Sequence, residues 1–64
     1  MKIREFAKAH NHEVVGKLKR VKDVHYGVQN SSYPLWIDEA RNEYCMSKDG
    51  KACECIVTFD GGII

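Results

Sequence analysis

Asp49-Gly50 lies between two stretches that mix apolar and polar residues, Glu43 to Ser47 and Ala52 to Phe59, and no other pair in the chain restricts the fold so tightly. Asp-Gly suits the positive φ angles of the tight turns whose twist matches that of paired strands. The flanking stretches are therefore expected to fold back on each other as an antiparallel hairpin. A two-residue loop sets Met46 opposite Cys53 and Tyr44 opposite Cys55, apolar beside apolar. A three-residue loop, Lys48-Asp49-Gly50, sets Cys45 opposite Cys53 and Glu43 opposite Cys55, which presses a carboxylate against an apolar face. The first register is favoured.

Alternation along a strand then sorts the side chains. Cys53, Cys55, Val57 and Phe59 share one face, expected to be core, and Ala52, Glu54, Ile56 and Thr58 share the other. Because a one-residue slip in pairing flips every side chain, this assignment depends on the register. Upstream, Pro34 and Leu35-Trp36-Ile37 lead through Glu39-Ala40-Arg41-Asn42 into the hairpin, with Asn42 suited to the positive φ that closes a three-residue loop. This half of the chain reads as a meander. The competing reading is a helix capped by Asp38 and running to Lys48, with Ile37, Ala40, Tyr44 and Cys45 on one side.

Ile3, Phe6, Ala7 and His10 recur at i, i+3, i+4 and i+7, the stripe of a short helix, and Asn11 suits its left-handed stop. A helix of two to three turns does not persist alone and has to lie on something. The next segment, residues 13–22, reads either way. As a helix it would give helix, turn, helix beside a basic cluster, the layout of DNA-recognition motifs. Lys17 and Arg20 then occupy the apolar positions of the second helix, and Gly16 costs a helix interior about 1 kcal/mol. A valine-rich strand is favoured, with Val14, Gly16 and Leu18 on one face and Val15, Lys17, Lys19 and Val21 on the other. Residues 23–33 show no sustained period and read as a long, mobile loop.

The expected fold is α+β: one short N-terminal helix packed on a small antiparallel β-meander of about four strands, with residues 1–64 forming a single domain. A core this small supplies only about 3–5 kcal/mol, so metals, disulfides and self-association all need weighing. The longest apolar runs are three residues each, and Lys2, Arg4, Glu5 and Lys8 interrupt the N-terminus, so neither a membrane span nor a signal peptide is expected. A cytoplasmic location is therefore expected, with the three cysteines reduced.

His10, His12, His25, Cys45, Cys53 and Cys55 are metal-ligand types. Structural zinc prefers ligand pairs in turns, C-x2-4-C and H-x3-5-H, whereas here C-x-C falls inside a strand. No metal, no cofactor and no catalytic group is assigned, and a small Cys/His metal-binding domain stays an alternative. Cys45 with His25, and the carboxylates Asp38, Glu39 and Glu43, lack any sequence context that fixes catalytic geometry. The protein is therefore expected not to be an enzyme.

Residues 1–25 carry seven basic side chains against three acids, and the remainder three against six, so a net charge of +1 hides an asymmetry. Lys17, Lys19, Arg20 and Lys22, with Tyr26, Tyr33 and Trp36 near in sequence, could serve phosphates and bases, making nucleic acid the alternative partner. Lysines on an edge strand equally well block unwanted strand pairing. The favoured reading is a non-enzymatic binding module whose partner is itself or another protein. On the favoured register its interaction face is Leu35, Ile37, Cys45 and Ile56, the apolar side that one short helix leaves uncovered.

Overall fold

The computed structural model describes residues 1–26 and 31–64, with side chains described for 1–21 and 33–64. One helix, α1 (Ile3–Ala9), precedes four strands, β1 (Lys19–Tyr26), β2 (Ser31–Ile37), β3 (Glu43–Met46) and β4 (Cys53–Val57). The strands form one antiparallel sheet in the order β1-β2-β3-β4. This is the α+β meander expected from the sequence.

Helix α1 buries Ile3 and Ala7 and half-buries Phe6, as the stripe predicts. His10, the last residue of the stripe, is exposed at the helix end, with its ring 4.5 Å from that of Phe6. Asn11 takes φ 56°, and the His12 amide returns to the Ala7 carbonyl at 2.8 Å, which stops the helix where expected. Ile3 and Ala7 meet Tyr44, Met46, Cys53 and Ile56 in the core, with Val14, Leu18, Trp36 and Ile64 packed around them.

Residues 13–18 are neither the strand nor the helix that the sequence offered; β1 begins only at Lys19. Gly16 adopts φ 70°, a left-handed conformation that interrupts an extended run. The backbone here pairs with the turn after β2. Glu39 N–H donates to the Val15 carbonyl at 2.9 Å, and Lys17 N–H donates to Glu39 Oε2 at 2.7 Å. Val14 and Leu18 reach the core from this crossing segment, while Val15 is exposed.

The expected long loop at 23–33 is largely strand: β1 continues to Tyr26 and β2 begins at Ser31, with His25 opposite Ser32. Its mobility, as far as it concerned residues 27–30, lies outside the described residues. A register shift between Val21 and Val24 sits opposite Pro34, which has no N–H to offer the ladder. That irregularity breaks the two-residue period by which a strand is recognised.

The turn between β2 and β3 also differs in detail. Arg41, with φ 66°, takes the left-handed position expected of Asn42. Asn42 instead turns its side chain inward, donating from Nδ2 to Asp38 Oδ2 at 3.0 Å. Glu43 starts β3, and no helix spans 38–48. After β3, the Gly50 amide donates to the Ser47 carbonyl at 2.8 Å and the Ser47 amide to the Ala52 carbonyl at 2.6 Å, so residues 48–51 make the loop.

Met46 pairs with Cys53, as the favoured register requires, but the next pairs are Cys45 with Cys55 and Tyr44 with Ile56. Glu54 is the extra residue of a bulge, exposed and without a cross-strand partner in the ladder. Past it, parity inverts. Cys53 stays in the core, Ile56 enters it, and Cys55 and Val57 move to the reverse face. The driving force is size: Ile56 offers more apolar area to Tyr44 and Ile3 than Cys55 could, and a carboxylate is well suited to the unpaired position.

The outer edge of β4 is paired within the chain. Cys53 N–H donates to the Met1 carbonyl at 2.8 Å, and Ile56 and Ile64 exchange two backbone hydrogen bonds at 3.2 and 2.8 Å. No helix among the described residues is long and apolar enough to cross a membrane.

Candidate interaction surfaces

Directly paired residues share a sheet face, so the register assigns the reverse face without ambiguity. One row runs Val21, Leu35, Cys45 and Cys55, and the next Lys19, Ile37, Glu43 and Val57. Three of the four residues assigned to the interaction face from sequence, Leu35, Ile37 and Cys45, are on this side. Ile56 is not: it is 0% exposed, in the core beneath α1. Its misplacement follows from the Glu54 bulge.

The exposed part of the face is also narrower than expected. Leu35 and Cys45 are already buried within one chain, at 7% and 6% exposure. Ile37 and Val57, half-buried, continue towards Phe59, which is 72% exposed although regular alternation put it in the core. Together with Arg41, Glu43, Thr58 and Gly61 they border a cleft of about 480 Å³.

The backbone at Phe59 is held by hydrogen bonds on both sides. Its amide donates to Asn42 Oδ1 at 3.2 Å, and the turn behind it is closed by Thr58 N–H to the Gly62 carbonyl at 2.8 Å and Gly61 N–H to the Thr58 carbonyl at 2.9 Å. Asp60 Oδ1 accepts from the Thr58 hydroxyl at 2.5 Å and from the Gly62 amide at 3.3 Å. These bonds hold the Asp60 carboxyl below the usual carboxylate range. Thr, Asp and Gly-Gly are turn formers, and that was the signal available; the exposure of the Phe59 ring was not legible without the register.

Asn42 links this turn to a buried polar cluster centred on Asp38. The carboxylate accepts from the Val15 amide (3.1 Å), the Ala40 and Asn42 amides (both 2.9 Å), Asn42 Nδ2 (3.0 Å) and the Tyr44 hydroxyl (2.7 Å). Burial pushes the Asp38 carboxyl up, but the hydrogen bonds from Asn42, Tyr44 and Val15 outweigh it and hold the group well below the usual carboxylate range. Burial first, then the hydrogen bond to Asp38 and its charge, push the Tyr44 phenol well above its ordinary value. Because Tyr44 commits its proton to Asp38, its oxygen accepts from His12 Nε2, 3.1 Å away. The cluster is internally satisfied: among the described residues no buried side-chain nitrogen or oxygen lacks a partner. It holds the 38–42 turn, the 12–15 segment and, through Asn42, Phe59 in fixed relation.

The basic candidates do not gather on one surface. Lys17 precedes β1; Lys19, opposite Ile37, faces the reverse side; Arg20, opposite Trp36, faces the helix side; the Lys22 side chain lies outside the described residues. Alternation within β1 thus divides what sequence proximity joined.

Of the cysteines, Cys45 and Cys53 are buried, Cys55 is half-buried, and none is joined in a disulfide. Burial, with the neighbouring Cys45, pushes Cys53 up to about 11. Burial and a hydrogen bond with Cys45 push Cys55 up to about 12. Thiols held protonated in this way are poor nucleophiles at neutral pH. Among the described residues no group of three His, Cys, Asp or Glu side chains converges on a point that could hold a metal ion, and the His25 side chain is not among them.

No family model, no curated protein sequence and no solved structure matches this chain.

Proposed function

We propose that the protein is a non-enzymatic protein-interaction module that associates with a second copy of itself through the Ile37, Val57 and Phe59 end of the reverse sheet face. The observation that carries the reading is Phe59: a large aromatic ring, 72% exposed, on a turn fixed by five hydrogen bonds beside a cleft that Ile37 and Val57 help to line. A pre-organised aromatic anchor loses little conformational entropy on docking, and such residues dominate binding energy.

The surface is complementary to itself. It carries a knob, Phe59, next to a cleft lined by Ile37 and Val57, and it bears one cation, Arg41, and one anion, Glu43, on the cleft rim. A two-fold axis through such a patch brings each ring to the partner's cleft and each charge to its opposite, as an isologous interface requires. Burying one phenylalanine ring is worth about 1.5–3 kcal/mol, and the symmetry counts it twice.

Sedimentation over a concentration series tests the reading. The wild type is expected to dimerise in the micromolar range. Phe59→Glu is expected to be monomeric and still folded, because that side chain lies outside the core. Arg41→Glu and Glu43→Arg are each expected to weaken the dimer, and the two together to restore it. A wild type that remains monomeric at about 1 mM, or a Phe59→Glu variant that dimerises unchanged, overturns the proposal.

A further inference from the structure

The opposite side of the sheet carries a second concavity, independent of the self-association surface. Helix α1 packs over β3 and β4, which leaves the β2 side of that face partly open. There Ile3, Leu18, Trp36 and Met46 form the floor of a groove of about 610 Å³, with Lys2 and Lys51 on its rim. Arg4 adds a third cation, anchored by its Nη2 hydrogen bond to the Gly16 carbonyl at 3.3 Å. The rim's one carboxylate, Glu5, accepts from the Lys2 amide at 3.3 Å.

We infer that this groove binds an acidic peptide segment carrying an aliphatic or aromatic anchor. The floor fixes the anchor's chemistry. Two branched aliphatic residues, a methionine and an indole present dispersion surface with no buried charge to desolvate, and methionine adapts to anchors of differing shape. The rim fixes the flanking charge: three cations against one carboxylate favour acids on either side of the anchor. A single-stranded nucleic acid fits less well. It needs successive stacking platforms along a basic track, whereas this groove offers one aromatic ring and an aliphatic floor.

Trp36 is the chain's one tryptophan, so the groove reports its own occupancy. Titration is made with an acetylated, amidated peptide DDLFDD and its counterpart KKLFKK, following Trp36 emission and nitrogen-15 amide shifts. DDLFDD is expected to bind with Kd of about 100 µM, and KKLFKK about tenfold more weakly or not at all. Lys2→Glu with Lys51→Glu is expected to weaken DDLFDD about tenfold, as is raising salt from about 50 to 300 mM. Phe59→Glu, on the other sheet face, should leave binding unchanged, so failure here and failure of the dimer are separable. Equal binding of the two peptides, no binding of DDLFDD at about 1 mM, or tighter binding of oligothymidine than of DDLFDD would each overturn the inference, the last in favour of nucleic acid.

Discussion

Replacing Asp38 by alanine should unfold the protein, whereas Tyr44→Phe, at the other end of the same hydrogen bond, should not. Asp38 accepts five hydrogen bonds, and its loss affects the donors unequally. Val15 and Ala40 are exposed residues whose amides can reach water. Tyr44 can turn its proton to His12 Nε2 if the imidazole changes tautomer. Asn42 has neither escape: it is buried, and both its amide and its Nδ2 are stranded. Two buried unsatisfied donors cost about 2–6 kcal/mol, against about 3–5 kcal/mol for a domain of this size. In Tyr44→Phe, by contrast, Asp38 keeps four donors: one hydrogen bond to a charged group is lost, about 1.5–3 kcal/mol, and half-buried His12 exchanges its bond to the phenol for one to water. Urea unfolding followed by Trp36 emission and far-ultraviolet circular dichroism measures both. The linkage to pH has a definite sign. The folded carboxyl titrates below its unfolded value, so its contribution is complete above about pH 4 and is lost as pH falls through the folded value. An Asp38→Asn protein, if populated, should have a flatter acid limb than wild type. An Asp38→Ala protein as stable as wild type, or less perturbed than Tyr44→Phe, would refute the reasoning.

Two further outcomes follow from the reverse face and from β4. Cys53 and Cys55, pushed up to about 11 and about 12, stay protonated at pH 8 and should react there with an alkylating reagent far more slowly than in urea, with three thiols titrating once the chain unfolds; equal rates in the two conditions would contradict their burial. Deleting Glu54 should leave the protein folded and within about 1 kcal/mol of wild type, because it removes the unpaired residue of the bulge and keeps Met46 on Cys53, Cys45 on Cys55 and Tyr44 on Ile56; had β4 been regular, the same deletion would flip Ile56 and Val57, and loss of folding would show it.

The fold was legible where one short-range rule sufficed. The α1 stripe, the Asn11 stop, the Asp49-Gly50 reversal and the Met46 to Cys53 pair each depend on a few neighbouring residues, and each is found in the structure. Residues 13–18 were illegible because their backbone partners, Asp38 and Glu39, lie more than twenty residues away. The β1–β2 hairpin was hidden for a different reason: the shift opposite Pro34 removes the period that identifies a strand.

The interaction surface was half legible, and the reason lies in β4. Regular alternation of Cys53, Cys55, Val57 and Phe59 is a sound rule for a strand without bulges, and nothing local marks Glu54 as the residue to skip. What selects it is tertiary. Skipping Glu54 puts the larger Ile56, rather than Cys55, against Tyr44, and leaves a charged side chain where no partner strand has to accommodate it. The same step hands Cys55 and Val57 to the reverse face. The bulge that completes the core therefore also supplies part of the proposed contact surface. A sequence rule that weighs one strand alone cannot find either consequence, whereas one that compares the apolar volume delivered to the helix side in each register would favour the bulge.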